Sequence, residues 1–161
     1  MMIKYKDFYE AYDSGNLHFW CSSSGDLYAP NSNVDDLPLR VQNLYLNYWG
    51  EAYNTSTHCV SYLNQPGILF VYLFDISYID DTMEEQGLNS DDPMQRAWYA
   101  VRDIANLLVD KFPGCTVFAG NRTDSKGHEI AILIPYDMRG QLNELDNEID
   151  EAIYPLFREL L

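Results

Sequence analysis

Basic side chains are scarce in this sequence. Ten Lys and Arg stand against 25 Asp and Glu, which leaves a formal net charge of −15 at neutral pH. That scarcity excludes a cationic nucleic-acid binder, because phosphate contacts need clustered Lys and Arg. Long apolar runs are also missing. The longest covers residues 68–74, whereas a helix needs about 20 residues to cross a bilayer. The first residues carry Lys4, Lys6, Asp7 and Glu10, so they form no apolar signal segment. The expectation is a soluble, cytoplasmic protein with no membrane partner.

Cysteine is sparse and unevenly placed. Cys21, Cys59 and Cys115 are an odd, widely spaced set that makes no disulfide framework; reduced and mostly buried thiols are expected. The familiar catalytic signatures are absent too: there is no P-loop, no dinucleotide-binding glycine pattern, no Gly-x-Ser-x-Gly and no His-Glu-x-x-His. His18, Cys21, His58 and Cys59 lack a Cys-x2–4-Cys knuckle, and adjacent strand residues such as His58 and Cys59 point to opposite faces. Cys115 and His128, at facing ends of a hairpin, would make a nucleophilic pair only with a cation or helix N-terminus to stabilise the thiolate. Asp75, Asp80, Asp81, Glu84 and Glu85 lack the EF-hand order, although Asp75, ending an apolar strand, would suit magnesium. Arg122, Lys126 and His128 come close together in the loop at 120–128, but Asp124 offsets their charge, and a polar hairpin tip explains them. No metal, no cofactor and no catalytic residue is expected, and a non-enzyme is the favoured reading.

What is present is enough apolar material for one ordinary domain. Hydrophobic residues make up 47% and aromatic residues 14%, and no low-complexity linker divides residues 1–161. Tyr5, Phe8, Tyr9 and Tyr12 repeat at helical spacing, and Gly15 stops that helix. Residues 17–21 read as a strand and 22–33 as a loop. Asp35, Asp36 and Pro38 open a second helix, with Val41, Leu44, Tyr45, Tyr48, Trp49 and Ala52 as its stripe, ending near Tyr53. Residues 57–63 form a strand, and Asn64-Gln65-Pro66-Gly67 suits a type II turn. The run 67–76 is apolar on both alternating faces, as in a central strand covered, or nearly covered, on both sides.

Asp92 and Pro93 start a helix with Ala97, Val101, Ile104, Ala105 and Leu108 on one face, and Phe112-Pro113-Gly114 ends it. Residues 115–119 and 129–134 make a hairpin. The last helix, 141–161, has Leu142, Leu145, Ile149, Ala152, Ile153, Leu156 and Leu160 as its stripe, and Pro155 should kink or break it. The order α-β-α-β-β-α-β-β-α predicts an α+β fold. It would be a single, mostly antiparallel sheet of about five strands with amphipathic helices packed on it.

The negative charge gathers in the second half. Residues 1–74 hold 3 basic and 7 acidic side chains, residues 75–161 hold 7 and 18. One concentration lies at 75–92, which has no Lys or Arg. The other is on the last helix, with Glu144, Asp146, Glu148, Asp150 and Glu151. Glu144, Glu148 and Glu151 share a helix face at roughly 6 Å spacing, comparable to phosphates along a nucleic-acid strand. Dipole compensation and solubility account for much acidity of this kind. Against them stands the repulsion between like charges one helical turn apart.

The sequence therefore points to a non-catalytic acidic protein-binding module, an inhibitor or immunity-type protein mimicking nucleic acid. It would dock on a basic, nucleic-acid-binding surface of a partner protein, with no direct nucleic-acid contact, through Asp80, Asp81, Glu84, Glu85, Glu144, Glu148 and Glu151. The alternative is a small enzyme or ligand-binding domain with a site near Asp75 and the 120–128 loop. A third expectation is a homodimer through exposed aromatic side chains, of which Tyr28, Tyr53, Tyr78 and Tyr136 fall in or beside loops.

Overall fold

Side chains alternate between the two faces of a strand, and residues 68–74 are apolar on both. Such a strand belongs where both faces are covered. The computed structural model describes residues 2–19, 56–122 and 127–161. Its strands are β1 (Lys6–Asp7), β2 (Leu17–Phe19), β3 (Ser56–Tyr62), β4 (Gln65–Asp75), β5 (Thr116–Arg122) and β6 (Gly127–Pro135). They form one six-stranded sheet in the order β1-β5-β6-β4-β3-β2. β1 and β5 are parallel, and every other neighbouring pair is antiparallel. The helices are α1 (Phe8–Asp13), α2 (Ile76–Glu85), α3 (Pro93–Lys111) and α4 (Leu142–Leu160), with a 3-10 segment, Tyr136–Gln141, before the last. The α+β class is as expected. The sixth strand is the two-residue β1, too short to carry any alternation in the sequence. The expected helix at 38–53, the loop at 22–33 and Cys21 lie outside the described residues.

β4 divides two cores. Ile68, Phe70, Tyr72 and Phe74 face one way, with Ile130, Ile132 and Ile134 of β6, under α2, α3 and α4. Leu69 faces the other way with Phe118, Ala131 and Leu133, and α1 packs Phe8 and Ala11 there. Each such side chain, fully buried, contributes about 1.5–3 kcal/mol relative to exposure. Cover on the second face thins toward the end of β4, where Leu73 is 45% exposed. Among the described residues, no helix is long and apolar enough to cross a membrane.

The helix starts follow their caps. Asp92 accepts a hydrogen bond from the backbone N–H of Gln95 at 3.1 Å, with Pro93 in the first turn. Asp75 does the same for α2 through the N–H of Tyr78 at 2.8 Å. α2 itself was not anticipated. Ile79 and Met83, one turn apart, are its buried apolar residues, but acidic side chains dominate the segment and hide that stripe. Pro155 neither breaks nor ends α4, which runs through it. The proline is exposed, so the carbonyl that loses its partner one turn earlier lies on a solvated face. The stripe also shifts: Phe157 is buried, while Leu160 is 39% exposed.

Both hairpins differ in detail from expectation. The β3–β4 turn is Leu63-Asn64, with φ of 50° and 66°, a two-residue turn of the type whose twist matches the strands. Pro66 and Gly67 lie inside β4 instead. Pro66 is tolerated because the β4–β6 ladder begins only at Gly67. In the second hairpin β6 starts at Gly127, with φ of +127°. A methyl group there would fall onto the carbonyl of Phe74 and within 2.6 Å of the Asp75 Cα. Gly127→Ala combines that backbone collision with a conformation unfavourable to any side chain. It should destabilise the fold by at least about 2 kcal/mol, seen as a lower urea midpoint.

Candidate functional site

All seven carboxylates expected to meet a partner are on α2 and α4, and all are exposed. Their positions follow from the buried stripes. α2 buries Ile79, Thr82 and Met83, which turns Asp80, Asp81, Glu84 and Glu85 outward. α4 buries Leu142, Leu145, Ile149, Ile153 and Phe157, which turns Glu144, Glu148 and Glu151 outward.

Helix dipoles explain few of these placements. α2 has no acidic residue in its first turn and no basic residue in its last. Of its four carboxylates, Asp80 and Asp81 are mid-helix, and Glu84 and Glu85 occupy the last turn, where the dipole disfavours negative charge. On α4 only Glu144 is in the favourable first turn. Asp80 with Glu84, Asp81 with Glu85, Glu144 with Glu148, and Glu148 with Glu151 are like-charge neighbours one turn apart. Together they cost about 1–2 kcal/mol at low salt.

Opposite charge relieves little of this. Glu85 meets Arg158 of α4 at 3.4 Å, with both side chains more than half exposed, a geometry that contributes little to stability. Among the described residues, none of the other six has an ion pair. The two groups share the helical layer without merging. Tyr78 packs against Tyr154 and Phe157, so α2 adjoins the C-terminal half of α4. Glu144 lies 14 residues from Arg158, about 21 Å along the axis. Where the helices meet, the Tyr154 hydroxyl is pushed up to about 12, mainly by burial, with Asp150, Tyr78 and Asp75 adding to it.

Other acidic residues have structural partners. Asp146, counted above with the acidic helix, is buried and accepts a hydrogen bond from the Tyr72 hydroxyl at 3.1 Å, so it is not part of the surface. Asp75, considered as a magnesium ligand, is the cap of α2. Among the described residues, no group of three or more His, Cys, Asp or Glu is placed to hold a metal ion. A further buried carboxylate is Glu129, which accepts from the Tyr9 hydroxyl at 2.6 Å. Opposite it, Gly120 has no room for a side chain: a Cβ would stand 2.9 Å from the Tyr9 ring and 3.0 Å from Glu129 Oε1. The signal was one charged residue within an apolar strand.

The proposed nucleophilic pair does not form. Cys115 precedes Thr116, whose partner is Leu133, whereas His128 pairs with Asn121 at the other end of the ladder. Six residues of strand put them about 20 Å apart. Burial pushes the Cys115 thiol up to about 11, which keeps it protonated. His128 is not in the loop. It belongs to β6, is 3% exposed and packs against Trp98 at 5.4 Å. Its Nε2 lies 2.8 Å from the Met94 carbonyl, which can only accept, so Nε2 carries the proton. Nδ1 is enclosed with no hydrogen-bond partner among the described residues. Lys126 lies outside the described residues, so the anion site considered at that loop has no described geometry.

Comparison with known proteins finds no family model, no curated protein and no solved structure that matches this chain.

Two outcomes are expected from this geometry. Burial lowers the His128 pKa, outweighing the bond to Met94. The unfolded chain therefore takes up a proton near pH 6.5 that the folded chain refuses. Stability from this residue is complete above that value and falls as the pH drops through it. Urea midpoints should show wild type losing more stability than His128→Gln between about pH 6.5 and about pH 5. The same measurement at neutral pH should show Glu148→Gln, which relieves two repulsions, stabilised by about 0.5–1 kcal/mol at low salt. That gain should vanish at high salt, where exposed charges are screened.

Proposed function

We propose that this protein is a non-catalytic, acidic binding module that docks on the basic surface of a partner protein. The observation that carries the reading is the set of carboxylates on α2 and α4. They are exposed, mostly uncompensated among the described residues, and kept at like-charge spacing, with Glu84 and Glu85 also opposed by the dipole of α2. A solvated surface needs no such arrangement. A basic cleft that normally holds nucleic acid fits it, since the spacing on α4 approximates that of phosphates. Such a protein would act as an inhibitor or immunity-type partner in the cytoplasm, competing with nucleic acid. The charges would mainly raise the association rate and select the partner.

The alternative site near Asp75 and the 120–128 loop draws less support. Asp75 caps a helix, and the His128 ring is enclosed between strand and helix.

The test is capture of the partner from native extract at about 50 mM and about 500 mM salt, with wild type and with Glu144→Lys, Glu148→Lys and Glu151→Lys combined. These side chains are exposed, so the triple variant should fold with an unchanged circular dichroism spectrum. The expected result is a basic partner bound by wild type at low salt, displaced by duplex DNA, weakened at high salt and lost in the variant. Unchanged binding and salt dependence in the variant would remove α4 from the interface.

A further inference from the structure

One buried titratable group has no part in the acidic surface. His128 sits on β6 with its ring on the face that α3 covers, 3% exposed and 5.4 Å from the Trp98 ring. Its cross-strand neighbours are Phe74 of β4 and Asn121 of β5. Nε2 donates at 2.8 Å to the carbonyl of Met94, in the first turn of α3. Nδ1 is enclosed, with no hydrogen-bond partner among the described residues. A neutral ring tolerates this, because an unpaired acceptor nitrogen carries no charge. A proton on Nδ1 would place a cationic N–H where no described acceptor meets it, and burial of such a group is costly.

We propose that His128 is an acid-sensitive latch, which holds the start of α3 on β6 while neutral and releases it when protonated. Of the elements around the ring, the start of α3 opens at the least cost. Its first buried side chain is Ala97. Pro93, Met94 and Arg96 are only half-buried and Gln95 is exposed, so residues 93–96 give up little apolar contact, the condition for local opening. β4 and β5 are instead held to β6 by continuous ladders. A second fastening does not depend on the histidine: Arg96 Nε donates to the Leu161 carbonyl at 2.7 Å.

The surroundings leave the imidazole as the titrating group. Phe74, Asn121, Met94 and Trp98, which meet the ring from β4, β5 and α3, carry no charge. Charged residues near it in sequence or register are engaged elsewhere. Glu129 meets Tyr9 on the opposite face, Asp75 and Asp92 cap their helices, and Arg96 is bonded to Leu161. Burial lowers the His128 pKa, and no neighbouring charge contributes. The closed state refuses a proton that the opened, hydrated ring accepts near pH 6.5, so acid favours opening. Linkage then raises the open population about tenfold between about pH 7.5 and about pH 5.5. The latch lies apart from the carboxylates of α2 and α4 and does not rest on partner docking.

Amide hydrogen exchange on the full chain, followed by nuclear magnetic resonance at those two pH values, tests the latch. Rates are read as protection factors, so that the intrinsic pH dependence of exchange cancels. The amides of Arg96, Ala97 and Trp98 should be less protected than those of residues 68–72 in β4, which marks a local opening. In wild type their protection should fall about tenfold at the lower pH. In His128→Gln and in His128→Phe it should not fall. Wild type alone gives a second reading: the His128 ring nitrogens should titrate together with the loss of protection at 96–98. Three results would overturn the proposal. One is protection at 96–98 that ignores pH or stays high while the ring titrates. Another is protection there equal to that of β4, which means that the helix start opens only with the whole domain. The last is the same tenfold loss in a variant without the imidazole.

Discussion

The burial of β4 on both faces is the constraint from which the rest follows. A strand with Ile68, Phe70, Tyr72 and Phe74 on one side and Leu69 on the other leaves no face suited to water. The helical layer must cover the first face and α1 part of the second. Because α2 follows β4 without a loop, Asp75 has to end the strand and cap the helix at once. α4 then crosses the same face and brings its carboxylates to the surface as a consequence of where its apolar stripe must go. The acidic display thus costs no separate scaffold. It is carried on the outer sides of helices that the central strand already requires.

Carboxylates in this chain are put to three uses that differ in burial and partner. Asp75 and Asp92 satisfy backbone N–H groups at helix starts. Asp146 and Glu129 are buried beside tyrosine hydroxyls, one on each face of the sheet. A charge taken out of water is tolerated only with such hydrogen bonds, so these two positions tie α4 and α1 to the sheet. The third group has neither role. Its members gain nothing from α2's dipole and lose a few tenths of a kcal/mol per like-charge pair. Burial of apolar stripes exceeds that penalty several times over, which explains how the fold keeps them. It does not explain why they are there, and partner docking is the use proposed for them.

Most of the architecture was legible because it rests on strong local signals. The α3 start at Asp92-Pro93, the β5–β6 hairpin and the two-sided character of β4 each combine a period with a turn or cap. The failures have equally local causes. α2 was hidden because its four acidic residues outnumber its two buried apolar anchors, Ile79 and Met83. The turn at Leu63-Asn64 was displaced because Pro66-Gly67 carries the stronger turn signal. That signal marks a strand position where the ladder to β6 has not yet begun. Pro155 was overrated as a helix breaker because a missing hydrogen bond matters less on an exposed face. Of the acidic surface, the helix periodicity was enough to place Glu144, Glu148 and Glu151 outward. The same periodicity puts Asp146, four residues after Leu142 and three before Ile149, on the buried face, but its partner, the Tyr72 hydroxyl of β4, is long-range and no spacing reveals it.

The helical layer carries two electrostatic characters, on two helices that pack against each other. α4 packs over β4, while α3 packs over β5 and β6 and takes the N-terminal segment along its outer side. On α4 Glu144, Glu148, Asp150, Glu151 and Glu159 are exposed with Arg158 as the one base, so a close neighbour is favoured if it brings positive charge. On α3, Lys4 and Arg102 balance Asp110 and Asp103, and what remains exposed is apolar. Salt screens the exposed carboxylates of α4 more than the closely paired charges on α3. The strap of residues 2–4 supplies part of that balance, because without Lys4 the Asp110 carboxylate would lose its ion pair.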